Sequence, residues 1–557
     1  MKRNGQLSTI ITHLGHGGHA IADAAPEADE LAREGWTRLS EVVQAPTDAA
    51  VATTDFDYLF PDLVGKPDAH LPAGSDDEVS TTVTALNHLG EAMIDQEPPA
   101  DDRSSPIPPI YTYWGQFVDH DLTAATDNDK VISIRDTPLP PLDPDQVRTL
   151  LKNARNPALN LDSVYGDGPF APAPADPGEI AVPYRADDRA KLQLGTLTPV
   201  NVGVRIPPVD DFARDLPRRA DKVPLVGDAR NDENLVVGQL HVAFLRFHNA
   251  AVDWVRANEP QRTGLSDVFL RARDLTRWTY QWLVVHDFLR TVTVPDVVDF
   301  VLGNDADALY DGSFMPLEFS VAAYRFGHSM VRGAYDWNRN FGRPGNNTLA
   351  NASLGLLFTF TGVGGLGRNP TLPSNWPVEW NRFVDKDSLF PDRFARRIDT
   401  HLSAPLSQMV NQTAGEDQSN GDLLALLKHL ARRNLLRGYR LGLPTGQAVA
   451  DLLGLPELTA AEVSGTGPVA TAIAEGNFAT RTPLWFYVLR ESEVKAQGNT
   501  LGPVGSRIVA ETIIGQIRHD PSSYLHQTSW SPSQGVRLPD GSPVGSIPSF
   551  LRFAGVL

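Results

Sequence analysis

The chain has 557 residues, 41% of them hydrophobic, with 49 Lys and Arg against 68 Asp and Glu and no cysteine. A formal net charge of −19 argues against broad nucleic-acid or anionic-membrane binding. The lack of cysteine excludes disulfides, thiolate metal sites and a cysteine nucleophile, and no apolar run reaches the ~18 residues expected of a membrane span.

Residues 1–45 read as an N-terminal leader, mobile in part, with a short helix in "EADELAREGWTRLSEVV". Its first stretch holds two basic residues but no apolar core of signal-peptide length, which predicts a protein that is cytoplasmic or exported without a recognisable signal. His13, His16 and His19 form an H-x-x-H-x-x-H series suited to metal, but Gly15, Gly17 and Gly18 weaken the helix it would need. Residues 46–557 read as one large, mainly α domain with long loops and little β. Proline-rich loops fall at "QEPPADDRSSPIPPI", "DTPLPPLDPD" and "DGPFAPAPADPGE". Helical apolar spacing runs from Glu233 to Val255, through "LTRWTYQWLVVHDFLRTV" and through "LLALLKHLARRNLL". His241, His248 and His286 lie on such stretches and read as core or surface histidines, not ligands.

Four segments carry chemistry. In "YTYWGQFVDHDLT", two acids and a histidine sit among aromatic residues, where an unpartnered carboxylate is costly to bury. With Gln116 at zero and about 100° per residue, Asp119 falls at about 300° and His120 at about 40°, sharing one face, while Asp121 falls at about 140°. In "GDARNDENLVV", Asp228 or Asn231 is a candidate helix cap, and Arg230 and Glu233 are close neighbours at a helix start. His328, in "AAYRFGHSMV", has the apolar wall that an axial metal ligand favours. In "RNLLRGYRLGLPTG", Asn434, Arg437 and Arg440 lie at helical spacing and Gly442, Leu443 and Pro444 stop the helix.

Taken together, W-G-Q-x-x-D-H-D at Trp114–Asp121, R-x-x-E at Arg230–Glu233, R-F-G-H at Arg325–His328 and N-x-x-R-x-x-x-x-G-L-P at Asn434–Pro444 resemble the animal-type haem peroxidases. The order and wide spacing fit over roughly residues 50 to 525, and the absence of cysteine suggests a bacterial-type member. The resemblance implies a peroxidase that reduces hydrogen peroxide and oxidises halides, thiocyanate or phenolic one-electron donors through a ferryl haem. By the same resemblance His120 is the distal base, Gln116 the distal glutamine and Arg230 the distal arginine. Asp119 and Glu233 are the acids that attach haem b through two ester bonds. His328 is the proximal iron ligand, Asn434 accepts from its other ring nitrogen, and Arg325 and Arg437 pair with haem propionates. Asp121 is a calcium ligand, joined by Asn156, Ala158, Asn160 and Asp162 of the loop "NPALNLDSVYG". The family usually has an aspartate where Asn160 stands and a hydroxyl residue at Asn156, so calcium is expected to bind more weakly here; the alternative for the loop is a plain Asx-turn.

Two other readings stay open at this level. One is a fatty-acid dioxygenase of the cyclooxygenase-like branch, whose radical tyrosine lies three residues before the proximal histidine. Arg325 occupies that position, and Tyr324 is offset by about 100° on an α-helix. The other is a non-haem, calcium- or zinc-binding interaction protein.

Overall fold

The computed structural model describes residues 54–95, 103–124, 132–153, 155, 157–166, 182–200, 211–304, 308–342, 350–362, 364–409, 419–528 and 530–557, together with the backbone of 12–13 and 19–20. The expected leader helix, the third proline-rich loop and the side chains of the histidine series lie outside them. The described chain is mainly α. Its principal helices are α1 (Asp76–Ala92), α2 (Ile110–Leu122), α3 (Leu235–Asn258), α4 (Leu265–Leu283), α5 (Leu430–Arg440), α6 (Leu484–Ala496), α7 (Pro503–His519) and α8 (Ile547–Phe553). A small sheet places β1 (Thr54–Asp57) between antiparallel β2 (Lys152–Asn153) and parallel β3 (Phe314–Pro316). Buried apolar residues from Phe56 to Ala554 form one continuous core.

Local chemistry explains the elements that matter. Helix α2 follows Pro108 and Pro109, and the amides of Tyr111 and Thr112 in its first turn donate to the carbonyls of these prolines; proline fixes φ near the helical value. Its aromatic face enters the core: Phe117 stacks on Phe244 of α3 at 4.5 Å, and Trp114 meets Phe550 of α8 edge-on at 5.5 Å. Burying such side chains contributes roughly 1.5–3 kcal/mol each, enough to hold the opposite, polar face of α2 inside the protein. Asp119, His120 and Asp121 are all buried, so each requires a partner.

The Asn234 side chain caps α3 by accepting from Val237 N, and Asp228 caps a 3-10 turn at Ala229–Asp232. Helix α5 ends as the sequence predicts, with Gly442 at φ +63° and Leu443 N donating to Gly438 O at 3.0 Å, the bond of a Schellman cap. Two helical stretches differ from expectation. "LLALLKHLARRNLL" is two helices, Gly421–Lys428 and α5, because His429 leaves the helical conformation and its ring nitrogen caps Arg432 N. Helix α4 passes into a π-helical segment at Val284–Leu289.

Candidate functional site

Helix α2 and the segment Ala323–Val331 form opposing walls of a cavity of about 50 Å³. Gln116 and Asp119 line one side; Tyr324, Gly327, His328 and Met330 line the other. Thus the face deduced for α2 does point inward, although His120 itself lies just behind the wall.

His120 is fully buried. Its Nδ1 is 2.8 Å from Asn231 Oδ1, and Asn231 Nδ2 is 2.9 Å from His241 Nδ1. This chain gives His120 Nδ1 the proton and leaves Nε2 with a lone pair. That Nε2 makes no hydrogen bond and lies 3.4 Å from Glu233 Oε1, which also accepts from Gln116 Nε2. Burial, and then the charge of Arg230, pull His120 down from 6.5 to about 4. Asn234 Nδ2 donates to Gln116 Oε1 at 3.1 Å, so one capping residue fixes the start of α3 and the orientation of Gln116. Asp119 Oδ1 accepts from Thr123 Oγ1 at 2.8 Å.

Arg230 sits differently from the expected distal arginine. It lies outside the cavity wall, paired with Asp228 at 2.7 Å, and its Nη2 donates to the carbonyls of His120 at 3.0 Å and Thr123 at 2.6 Å. The guanidinium therefore braces the C-terminal turn of α2, where cations are favoured, and acts on His120 through its field.

On the opposite side Ala323–His328 is a 3-10 helix, in which residues three apart share a face. Arg325 and His328 consequently both meet Asn434 of α5. Arg325 Nη1 donates to Asn434 Oδ1 at 2.5 Å, and Asn434 Nδ2 lies 3.0 Å from His328 Nδ1. The expectation that Asn434 accepts from His328 is corrected: a guanidinium can only donate, so it claims the amide oxygen and turns the NH2 toward the ring. For His328 to ligate a metal through Nε2, the ring must give up its Nε2 proton or Asn434 must share its oxygen. Neither proposed propionate partner lines the described cavity; Arg325 Nε also donates to Ser320 O at 3.2 Å, and Arg437 Nη1 donates to Ile132 O at 3.0 Å. Tyr324 does line it, its hydroxyl donating to Gly115 O at 3.2 Å; the rotation argument took Arg325 as the cavity-facing position, and Arg325 turns instead to Asn434.

The residues fit a haem in two respects: a histidine on one wall of the cavity, and a buried, unprotonated histidine nitrogen behind the other. The calcium set fits less well. Asn160 Oδ1 accepts from Asp162 N at 3.1 Å, the Asx-turn alternative, and Asp121 Oδ2 accepts from Leu161 N at 3.2 Å. Ala158 O lies 3.5 Å from Gln281 Nε2. Burial and the neighbouring Asp162 push the Asp121 carboxyl well above its usual range. Asn156 falls outside the described residues, among which no group of three or more His, Asp or Glu side chains is arranged to hold a metal ion. No described helix is long and apolar enough to cross a membrane.

Sequence reasoning read Asn231 only as a candidate helix cap, not as the partner of His120, and read His241 as a core or surface histidine; it is fully buried and pulled down to about 3 by that burial. A histidine on an apolar face six residues past a caps-rich turn was the available signal. His248 is a satisfied core histidine, between Tyr165 Oη at 3.0 Å and Ala190 O at 2.9 Å; His286 packs on Trp282 at 3.9 Å.

The sequence profile of the animal haem peroxidase family matches residues 185–358. That stretch holds Arg230–Glu233 and Arg325–His328 but neither of the outer segments. A peroxidase-like protein of Margaritifera margaritifera is 26% identical over 298 residues, 46% of this chain and 35% of that protein. Human eosinophil peroxidase is 25% identical over 276 residues, 40% of this chain and 36% of its own. The chain therefore spans little more than a third of these relatives. Among solved structures, the fatty acid alpha-dioxygenase of Oryza sativa aligns with 94% of this chain and 92% of its own at 11% identity and TM-score 0.51. Peroxidase A of Dictyostelium discoideum aligns with 79% of this chain and 83% of its own at 16% identity and TM-score 0.48.

Proposed function

We propose that the chain is a haem peroxidase of the animal type, one that reduces hydrogen peroxide and oxidises a halide, thiocyanate or small phenol; the family profile over residues 185–358 supports this reading. The observation that carries this reading is His120: a buried imidazole whose Nδ1 proton is taken by Asn231 and whose Nε2 is bare beside the cavity that His328 lines from the other side. Bound haem would supply the iron and the two electrons that split the peroxide bond.

The protein's own part is proton transfer and positioning. His120 Nε2 accepts a proton from one peroxide oxygen and delivers it to the other, which leaves as water. Asn231 keeps that nitrogen free, and Arg230 disfavours the protonated ring. Gln116 is held by Glu233 and Asn234 with its amide on the wall, placed to orient water or a halide. His328 would hold the iron, and Asn434 and Arg325 set the ring behind it. Asp119, on the wall, and Glu233, beside His120, would hold the haem covalently, each carboxylate as the ester of a haem methyl group. Asn234 stands directly after Glu233, where myeloperoxidase has the methionine of a third, sulfonium link, so that link is absent.

Tyr324 favours a second reading, a fatty-acid oxygenase in which a wall tyrosine hands an electron to the haem. One experiment separates the two: the absorption spectrum of the purified protein before and after peroxide, followed by turnover with iodide, bromide, thiocyanate, phenols and a fatty acid under oxygen. Donor-dependent peroxide consumption supports the peroxidase, and oxygen uptake with fatty acid supports the alternative. A colourless, folded protein that takes up no haem would overturn both. Acidified organic extraction after peroxide tests the esters: haem stays with the protein, and Asp119→Ala with Glu233→Ala releases it.

A further inference from the structure

We infer that Arg155 is the structural cation of the loop that the resemblance assigns to calcium, and that this chain holds no divalent ion there. Arg155 is largely buried, with its side chain 14% exposed; its guanidinium pairs with Asp228 and its Nη1 lies 3.7 Å from Asp162 Oδ1. Its backbone is fixed as well, since Thr54 Oγ1 donates to Arg155 O at 3.0 Å.

The acids it serves come from distant stretches of chain that are tightly apposed. A Cβ added to Gly227 would stand 2.4 Å from Asp162 O and 2.9 Å from Ser163 O, so the loop and the Asp228 turn touch backbone to backbone. Asp121, Asp162 and Asp228 bring three carboxylates into this region, and Arg155 and Arg230 answer with two permanent positive charges. Although burial opposes it, Arg155 and Arg230 hold Asp228 well below the usual carboxylate range.

Calcium demands six to eight oxygens. Here Asn160 Oδ1 is spent on Asp162 N and Asp121 Oδ2 on Leu161 N. Among the side-chain oxygens of the described residues assigned to the ion, Asp121 Oδ1 and Asp162 Oδ1 are left without hydrogen bonds, and the second faces Arg155. A divalent ion on that carboxylate would sit against a guanidinium that cannot lose its charge. Arg155 does what the ion would do: it ties the loop to Asp228, and Asp228 passes the tie through Arg230 to the carbonyls of His120 and Thr123.

The test uses the full chain as purified, with calcium content measured by mass spectrometry after dialysis and thermal unfolding followed with EDTA or with millimolar calcium chloride. The expected wild-type protein carries no stoichiometric calcium, and its Tm is indifferent to both additions. Arg155→Met, which keeps the bulk and removes the charge, is expected to lower Tm, with calcium restoring part of the loss; Arg155→Lys is expected to stay indifferent to calcium. One calcium per wild-type chain, or a wild-type Tm lowered by EDTA, overturns the inference, and so does an Arg155→Met protein as stable as the parent. If Arg155→Met does not fold, the wild-type metal content and the Arg155→Lys response decide. None of these readouts depends on haem or on peroxidase turnover.

Discussion

The two histidines that flank the cavity make a controlled comparison. Both are buried, and the Nδ1 of each meets an asparagine amide, Asn231 at 2.8 Å and Asn434 at 3.0 Å. The amides are turned opposite ways. Asn231 offers its oxygen to His120 because its NH2 is engaged by His241 Nδ1; Asn434 offers its NH2 to His328 because Arg325 takes its oxygen. An amide has one acceptor end and one donor end, so the third partner decides which the histidine receives. His120 is thereby set as a base at Nε2, and His328 is held with its proton at Nε2 until the amide oxygen is shared. The same residue pair has two chemistries, and neither is encoded in the pair.

The broadest test of this contrast removes each ring. His328→Ala is expected to lose haem absorbance, whereas His120→Ala should keep the haem and slow the peroxide step by roughly 10²–10⁴-fold, the usual cost of a lost acid–base group. Stopped-flow absorbance reads both; His120→Ala reacting at the parental rate, or losing its haem, would erase the distinction.

A smaller effect follows from exchanging the acceptors. Asn231→Leu should slow the peroxide step by roughly 10–100-fold, as removal of an orienting outer partner does, while Asn231→Asp, which can still accept from Nδ1, should retain more of it. On the other side Asn434→Asp gives both Arg325 and His328 an acceptor. The expected outcome is a lower iron reduction potential, since a carboxylate draws the ring toward imidazolate. Potentiometric titration checks it, and a raised potential would mean that Arg325 does not control Asn434.

The finest distinction is in pH. His120 is lowered from 6.5 to about 4, and it works as a base only when neutral. Peroxide reactivity should therefore be full near neutrality and be lost as pH falls through about 4. Arg230, Asp228, Asp119 and Glu233 are the charged groups around it. Burial is the larger cause and stays in Arg230→Gln; losing the cation should move the acid limb upward, toward the ordinary histidine value. An unmoved limb in a folded Arg230→Gln protein would show that Arg230 only braces α2.

Much of the site was legible because short-range geometry made it so. The turn per residue of α2 put Gln116 and Asp119 on one wall with His120 beside them, and the stop signal at Gly442 ended α5 where it does end. What failed depended on distance along the chain. Arg325 was assigned to a propionate because nothing in R-F-G-H reveals that α5 presents an amide oxygen to it. Tyr324 was turned away from the cavity because its rotation was measured from Arg325, and no local signal shows that the cavity lies on the other side of that turn.

The sequence by itself determined the mainly α fold and the four chemistry-bearing segments, because helical periodicity, caps and motif spacing are local properties. Only the tertiary structure decided where the cations went. Arg155 reaches an acid 73 residues away, Arg230 turns to the end of α2, and Asn231 and Asn434 face opposite ways. Each of these is the choice of a buried polar group among partners that packing alone brings within reach.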